Sequence, residues 1–272
     1  LLLKNSELNI SDGKKQNMTI FFSDIENFTS IAESLTPTAL VLLMNSYFSL
    51  VSKPISDHYG VIDKYIGDAV MAFWGDPFIA NENHAKLACL SALEQFEKID
   101  ELNANLADIL GFRKNLPKIS IRIGLCTGDV IAGSIGASNS KSYTVMGDTV
   151  NIASRLESAN KQFGTRILIS ESTYEMAKDD FVTRKIDDIM VIGKSESVGV
   201  YELVGENTKV NPQILELIDL YEKAYSCYQL REWETARENL KKCLNNNPQD
   251  KASKVLLERI DSFIKNPPED DW

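Results

Sequence analysis

The chain has 272 residues, of which 43% are hydrophobic and 25% charged, a composition typical of a soluble globular protein with one sizeable domain and an appendage, or with two small domains. Its formal net charge of -10 argues against nucleic acid or an anionic membrane surface as the partner of the whole molecule, so any anionic substrate must be held by local cations. The four cysteines lie far apart and there are only two histidines, which argues against a disulfide framework and against a zinc site.

The first part of the chain predicts a strand, a helix and a hairpin. Residues 18–22, MTIFF, form a short apolar run that predicts a buried strand. Residues 36–60 begin with the cap and first-turn signals Thr-Pro and have apolar residues at helical spacing, with Gly60 as the stop signal. Residues 61–75 contain two apolar runs around a Gly-Asp pair, which predicts a tight hairpin with Asp68 at its tip.

The following residues predict helices that alternate with strands. Residues 83–110 have a long helical pattern, residues 118–136 predict two strands joined at residues 127–129, and residues 146–164 predict a further helix. A short strand, a short helix and two strands complete this part near Val204. This order predicts an α+β fold, with a ferredoxin-like antiparallel sheet that is covered by helices.

The last part of the chain differs in character, because residues 212–265 have a wholly helical pattern. The spacing of aromatic, alanine and leucine residues there resembles one tetratricopeptide-like helix pair, and one such pair is too small to fold alone. We therefore expect a helical support that docks on the main domain or on a partner chain, in preference to a recruiting repeat array. The predicted division is a linker remnant (1–17), a main domain (18–205) and a helical extension (206–272).

Two aspartates stand at the ends of predicted elements. Asp24 ends the first strand and Asp68 lies at the hairpin tip, so both side chains are expected to converge on one edge of the sheet. Paired carboxylates beside backbone carbonyls suit Mg²⁺ or Mn²⁺, which prefer oxygen ligands. Each aspartate taken alone is more simply explained as a turn former or a helix cap, so the metal hypothesis rests on the combination.

Four segments, FFSDIENFT, DKYIGDAVMAFWG, IRIGLCTGDVIAGSIG and YTVMGDTVNIASRLE, occur in this order. Their residues and spacing closely resemble the class III nucleotidyl cyclase catalytic domain, and within it the bacterial and soluble-type adenylate cyclases. The resemblance covers about residues 15–205. It implies conversion of ATP to 3',5'-cyclic AMP and pyrophosphate by in-line attack of the ribose 3'-hydroxyl on the α-phosphate.

The resemblance implies a site with two Mg²⁺ or Mn²⁺ ions. Members of the family hold these ions with the aspartates that match Asp24 and Asp68, and with the backbone carbonyl at the position of Ile25. One ion lowers the pKa of the 3'-hydroxyl and the other holds the triphosphate.

The resemblance also implies the groups that hold the phosphates. Backbone N–H groups around Asn27, Phe28 and Thr29, at the start of the first helix, match the phosphate cradle, although the family often has glycine where this chain has Asn27. Arg122 matches the arginine that binds the terminal phosphates, and its simpler explanation is an exposed strand residue in an ion pair. Lys194 is a candidate for a further phosphate-binding lysine and equally a solvated loop charge.

Lys64 and Thr144 match the pair that recognises the base. A lysine ammonium donates to adenine N1 and a threonine hydroxyl accepts from the 6-amino group, whereas guanine places N1–H against a group that only donates. Guanylate cyclases have a glutamate and a small polar residue at these positions, so ATP is the expected substrate and guanylate cyclase the alternative. Threonine at this position is typical of the soluble-type branch, some of whose members respond to bicarbonate, and a bicarbonate response is a hypothesis for this chain.

Asn151 and Arg155 match the asparagine that orients the ribose and the arginine that stabilises charge on the α-phosphate in the transition state. They are four positions apart and share one face of the predicted helix. In the family the set that matches Lys64, Thr144, Asn151 and Arg155 meets the metal-binding set across a subunit interface, so one chain with both sets implies a homodimer with two equivalent sites. His58 and His84 match no catalytic position and are expected on helix surfaces.

Two other classes of protein compete with this interpretation. A diguanylate cyclase or polymerase-palm relative would have a Gly-Gly-Asp/Glu-Glu-Phe hairpin, but this hairpin has the sequence IGDAV. A nucleotide-binding or dimerisation module without turnover would lack a metal aspartate or the arginine, and this chain has both. We expect a cytoplasmic location for these residues, because no stretch approaches the roughly 20 apolar residues of a transmembrane helix. A sensor upstream in a longer, membrane-anchored protein is a further hypothesis.

Overall fold

The computed structural model describes residues 13–79, 83–137, 139–190 and 197–268 of the chain. No helix within these ranges combines the length and the apolar character that are needed to cross a bilayer. The strands are β1 (Lys14–Ile25), β2 (Val61–Ile66), β3 (Ala69–Trp74), β4 (Ile121–Ala137), β5 (Ser140–Met146), β6 (Ile167–Ser170), β7 (Phe181–Met190) and β8 (Ser197–Glu206). The helices are α1 (Phe28–Ser34), α2 (Pro37–Asp57), α3 (His84–Leu110), α4 (Asp148–Phe163), α5 (Glu171–Ala177), α6 (Pro212–Gln229), α7 (Trp233–Asn246) and α8 (Lys251–Lys265).

The strands form one sheet in the order β2-β3-β1-β4-β6-β8-β7, and β5 pairs with the far part of β4. The first four strands pair only antiparallel and have the order of the expected ferredoxin-like core. The expectation of a wholly antiparallel sheet is wrong beyond them, because β4 and β6 pair in parallel. The connection between these two strands includes α4, and parallel strands require such a crossover. The fold is therefore α+β with a mixed sheet.

The helices cover both faces of the sheet, since successive side chains of a strand point to opposite faces. On β1, Phe21 and Ile25 face a core that includes residues of α2 and α3. Met18 and Ile20 on the same strand face a second core, which includes residues of α4 and of the C-terminal helices α6, α7 and α8. Polar side chains that share the face of Met18 and Ile20 therefore point to the side of α4.

Strand β4 corrects the prediction of two strands joined at residues 127–129. It is continuous from Ile121 to Ala137, and Gly128 pairs with Met18 in the middle of the sheet. A side chain at Gly128 would place its first carbon 2.8 Å from Thr149 Oγ1 in α4. Glycine is therefore needed here because α4 packs closely on the strand. In the sequence alone, the same glycine looks like a turn residue.

Two element boundaries also differ from the predictions. Strand β1 begins at Lys14, not at residue 18, because residues 14–17 continue the pairing with β4, so the linker expected over residues 1–17 does not extend to its predicted end. Helix α2 ends at Asp57, three residues before Gly60. A side chain at Gly60 would lie 2.5 Å from the ring of Trp74. The hairpin, α3 and α4 agree with their predicted positions.

The helical pattern of residues 212–265 corresponds to three helices, α6, α7 and α8, not to a single helix pair, and the tetratricopeptide-like interpretation stays a prediction. These helices dock on the sheet through the C-terminal anchor (Arg184, Glu202 and Asp250). Arg184, on β7, is 4% exposed. It donates to Glu202 on β8, and at 2.9 Å to Asp250, which caps the N-terminus of α8. The guanidinium also lies over the ring of Tyr221 in α6.

Candidate active site

The carboxylate pair (Asp24 and Asp68) lies where β1 ends beside the β2–β3 hairpin. The backbone N–H of Ile25 donates to Asp24 Oδ1 at 3.0 Å and to Asp68 Oδ2 at 3.2 Å. The strand end and the hairpin tip thus bring together two side chains that are distant in sequence. Asp24 also lies directly opposite Arg122 in the pairing of β1 with β4, so these two side chains share the face of the sheet that carries α4.

Burial and the neighbouring carboxylate of Asp24 act together on the pKa of Asp68. Burial raises this pKa to about 7, and the hydrogen bond and the negative charge of Asp24 contribute further. A divalent cation between the two groups would relieve the repulsion, and carboxylate oxygens are ligands that hard cations prefer. No group of three or more His, Cys, Asp and Glu side chains lies together in the part of the chain that is described. The two carboxylates that share the Ile25 N–H are nevertheless ligands of a kind that a hard divalent cation prefers.

The turn after β1 explains the asparagine that replaces the family's glycine. Asn27 has a φ of 57°, in the left-handed region that asparagine tolerates better than other residues with a side chain. The N–H of Glu26 donates to the carbonyl of Ser120 at 2.8 Å and so ties the turn to the residue before β4. Helix α1 follows directly, with Phe28 half-buried and Thr29 exposed.

Arg122 forms an ion pair, as the alternative to a phosphate-binding role predicted. The pair is largely buried, however, and not exposed as that alternative had it. Its Nε donates to Glu157 Oε1 on α4 at 3.0 Å, and the two side chains are 15% and 9% exposed. Burial raises the pKa of Glu157, and the neighbouring Arg122 offsets part of that rise. Because Arg122 lies opposite Asp24 in the pairing of β1 with β4, its guanidinium is on the same face of the sheet as that carboxylate.

Lys64 and Thr144 lie together although they are 80 positions apart, with Lys64 Nζ 3.5 Å from Thr144 Oγ1. Sequence reasoning missed a third member of this cluster, Asp63. The Thr144 hydroxyl donates to Asp63 Oδ2 at 2.6 Å. Neighbouring residues of a regular strand point to opposite faces. From the sequence, Asp63 and Lys64 are therefore not expected to contact the same residue, and no sequence signal reveals that both contact Thr144.

Asn151 and Arg155 lie on the exposed face of α4, while Ile152 and Leu156 are buried against the sheet. Glu157 is on the buried side of the same helix, where it holds Arg122. Neither Asn151 nor Arg155 forms a side-chain hydrogen bond or ion pair with any residue in the described ranges. The two side chains are thus available to a ligand or to a second subunit.

The two histidines have different environments. His84 is buried, which corrects the expectation of a surface position: its Nδ1 lies 2.7 Å from Thr19 Oγ1 in the core, and burial lowers its pKa. His58 is partly exposed and lies 3.0 Å from Glu94. Lys194 lies outside the described residues.

Comparisons with known proteins agree with this fold. The family model described as the adenylate and guanylate cyclase catalytic domain matches residues 10–205. The chain belongs to this family. Adenylate cyclase 1 of Rhizobium meliloti (strain 1021) is 37% identical over 197 residues, which are 72% of this chain and 29% of that protein. The present chain thus spans less than a third of this relative's length.

Two solved structures are also similar. The adenylyl cyclase CyaB from P. aeruginosa has a TM-score of 0.65 and 33% identity, over 74% of this chain and 100% of that chain. The guanylyl cyclase Cya2 has a TM-score of 0.65 and 29% identity, over 73% of this chain and 97% of that chain. The similar structures thus include both an adenylyl cyclase and a guanylyl cyclase.

Proposed function

We propose that this chain is an adenylate cyclase, which converts ATP to 3',5'-cyclic AMP and pyrophosphate. The observation that carries the proposal is the coexistence of two half-sites. One is the carboxylate pair, whose charge repulsion suits a divalent cation, and the other is the contact between Lys64 and Thr144. The similarity to named adenylate cyclases supports the same activity.

In the proposed reaction the ribose 3'-oxygen forms a bond to the α-phosphorus, while the bond from that phosphorus to the bridging oxygen of the β-phosphate breaks and pyrophosphate leaves. The proton of the 3'-hydroxyl passes to an oxygen of the substrate or to water. Asp24, Asp68 and the carbonyl of Ile25 would hold two Mg²⁺ or Mn²⁺ ions. When bound, these ions lower the pKa of the 3'-hydroxyl and neutralise the triphosphate. No histidine is needed as a base. This agrees with the contacts of the two histidines, since His58 lies beside Glu94 and His84 beside Thr19.

The phosphates would be held by local cations and N–H groups, as the net charge of -10 requires. Arg122 is already oriented by Glu157 on one side of its guanidinium, which leaves further donors for the terminal phosphates. The backbone around Asn27, Phe28 and Thr29 offers N–H groups beside Asp24. Lys194 is retained as a candidate for the triphosphate.

ATP is preferred over GTP in this proposal because Lys64 only donates hydrogen bonds. Its ammonium suits the N1 acceptor of adenine and opposes the N1–H of guanine, while the Thr144 oxygen accepts from the adenine 6-amino group. Guanylate cyclase activity is the second candidate, since a guanylyl cyclase is among the similar structures. Lys64 argues against guanylate cyclase activity, because its ammonium cannot accept a hydrogen bond from the N1–H of guanine.

The proposal includes a homodimer with shared sites. Asn151 and Arg155 face away from the sheet without partners in the described structure, and Glu157 on the opposite side of α4 contacts the chain's own Arg122. One helix would thus serve two sites, its own through Glu157 and the partner's through Asn151 and Arg155. We further infer that residues 206–272 act as a tetratricopeptide-like support for the catalytic domain, which begins with β1 at Lys14. An upstream sensor stays a hypothesis.

The decisive experiment combines product analysis with mixing of two inactive variants. Wild-type protein is assayed for cyclic AMP and cyclic GMP with Mg²⁺ or Mn²⁺, and cyclic AMP is the expected product. Asp68→Ala and Arg155→Ala are each expected to lower turnover about 10² to 10³-fold. After random exchange of subunits, half of the dimers contain one intact site, so roughly a quarter of wild-type activity should return.

Each variant mixed with itself is the matched control and should show no recovery. Absence of cyclic AMP formation by the wild type would refute the catalytic proposal and leave the non-catalytic module as the explanation. Wild-type activity without recovery on mixing would refute only the shared sites.

A further inference from the structure

Strand β2 contains a bulge immediately before Lys64. In the pairing with β3, Ile62 lies opposite Ala72 and Lys64 lies opposite Met71, so that Asp63 is an extra residue without its own partner. A bulge of this kind redirects a side chain, and bulges are frequent beside functional sites. Here it brings Asp63 and Lys64, which a regular strand would separate, to the same cluster of side chains.

The only hydrogen of the Thr144 hydroxyl is used in a hydrogen bond within this cluster. That hydroxyl donates to Asp63 Oδ2 at 2.6 Å, and Lys64 Nζ lies 3.6 Å from the same carboxylate oxygen and 3.5 Å from Thr144 Oγ1. A carboxylate accepts hydrogen bonds and an ammonium only donates them. Between these two neighbours, the Thr144 oxygen can offer a further ligand only its lone pairs.

We propose that Asp63 is a positioning residue that sets the base specificity of the site by holding the Thr144 hydroxyl as an acceptor. This inference rests on the proposed use of ATP and on the proposed contact of Thr144 with the base. A free hydroxyl could accept from the 6-amino group of adenine or donate to the 6-oxo group of guanine. Asp63 removes the second option, and so adds to the rejection of guanine by Lys64.

The burial of Asp63 supports a functional explanation. Its side chain is 1% exposed, and its Oδ1 has no hydrogen-bond partner within the described residues. Burying an unpaired carboxylate oxygen destabilises a protein, and residues that break this rule are concentrated at functional sites. An asparagine of the same size would avoid the buried charge, but its amide could donate to Thr144 and reverse the direction of the hydroxyl.

The test compares ATP with purine riboside triphosphate, which lacks the 6-amino group, and with GTP, on the Asp63→Asn variant. The wild type is expected to prefer ATP over purine riboside triphosphate about tenfold in kcat/KM, since one hydrogen bond to the base is lost. Asp63→Asn should reduce this preference to about twofold and lower the ratio of ATP to GTP about tenfold. Asp63→Ala, which also frees the hydroxyl, should reduce both ratios. Because each ratio comes from one preparation, it does not depend on the folded fraction.

Thr144→Val supplies the second arm of a double-mutant cycle. It removes the hydroxyl at nearly constant volume and should reduce the preference for the 6-amino group as Asp63→Asn does, and the double variant should show no further loss. Asp57→Asn, in which an exposed aspartate of α2 loses its ion pair with Lys53, is the matched control and should keep the wild-type ratios.

Two results would overturn the positioning role. One is a loss of kcat/KM by the same factor for all three nucleotides in Asp63→Asn, which indicates a structural contribution. The other is an unchanged preference for ATP. A wild-type protein that forms no cyclic nucleotide would refute the proposed function itself, a result that is distinct from both.

Discussion

The carboxylate pair and the C-terminal anchor both concentrate charge, but they do so in opposite ways. At the carboxylate pair, Asp24 and Asp68 share one backbone N–H, and neither has an ion-pair partner among the described residues. In the C-terminal anchor, the guanidinium of Arg184 lies between two carboxylates, those of Glu202 and Asp250. Like charges are thus left together at one place and are matched by a cation at the other.

The pKa values of Asp68 and Asp250 are shifted in opposite directions. Burial raises the pKa of Asp68 to about 7, reinforced by Asp24. Burial would also raise the pKa of Asp250, but the charge and hydrogen bonds of Arg184 outweigh it and lower that pKa. In this molecule the matched buried charges connect β7, β8 and the start of α8, whereas the unmatched carboxylates of Asp24 and Asp68 suit a cationic ligand.

The largest expected effect comes from removing the cation of the C-terminal anchor. Arg184→Met leaves Glu202 and Asp250 without a counter-charge in a buried position, which should lower the free energy of unfolding by about 3–5 kcal/mol. Chemical denaturation measures this loss. Because the pKa of Asp250 is lowered in the folded state, the wild-type anchor stabilises the protein above the ordinary aspartate pKa and loses this contribution as the pH falls through the folded-state value.

The matched control is the neighbouring Lys185→Met, whose partner Asp188 is about as exposed as the lysine itself. Exposed ion pairs contribute roughly 0–1 kcal/mol. If Arg184→Met costs no more stability than Lys185→Met, the docking of α8 does not depend on the anchor.

The carboxylate pair should respond with the opposite sign. Asp68→Asn removes the cost of burying this carboxylate and its repulsion with Asp24. The free energy of unfolding without divalent cations should therefore rise by about 1–2 kcal/mol, after a discount for the partial exposure of the group. Catalysis should be lost in the same variant, because a proposed metal ligand is gone. Thermal unfolding and cyclic AMP formation, measured on one preparation, check both signs.

The dependence on pH provides an independent check of the same variant. The folded protein retains the Asp68 proton up to about pH 7, while the unfolded chain loses it near 3.8. Since the folded state binds more protons in this window, this group makes the wild type less stable as the pH rises from about 4 to about 7. Asp68→Asn should lack this decline and Asp57→Asn should retain it. Equal slopes in all three proteins would contradict a raised pKa of Asp68 in the folded state.

Much of the fold could be predicted because its signals are local. Helices α3 and α4 and the hairpin are determined by apolar periodicity and by turn residues, which one short window contains. The continuity of β4 could not be predicted, since Gly128 is required by the approach of Thr149 from a distant helix. The first residues of β1 are polar, and only their pairing with β4 makes them a strand.

The candidate site divides in the same way. Asp24 and Asp68 could be proposed from strand ends and a hairpin tip, whose positions follow from local patterns. Asp63 could not, because a bulge depends on the register between two strands, which residue types do not reveal. The partner of Arg122 was equally hidden, since Glu157 reaches it only through the packing of α4 on the sheet.

The smallest expected effect concerns Glu157, which has features of both charge arrangements. Its pair with Arg122 is matched like the C-terminal anchor, but it adjoins the unmatched carboxylate pair. Glu157→Gln keeps an acceptor and weakens a charge-assisted hydrogen bond, so the guanidinium should be less well oriented for the phosphates. We expect KM for ATP to rise about threefold to tenfold, with a smaller change in kcat.

The sign of this change distinguishes two roles of Glu157. If the glutamate instead competes with the triphosphate for Arg122, its neutralisation should lower KM, because a negative charge is removed near an anionic substrate. Glu175→Gln, in which an exposed pair with Lys178 on α5 is lost, should leave KM unchanged and controls for net charge. A raised KM with unchanged stability would therefore assign the matched pair to the active site, and show that a buried ion pair in this protein can position a ligand as well as connect helices.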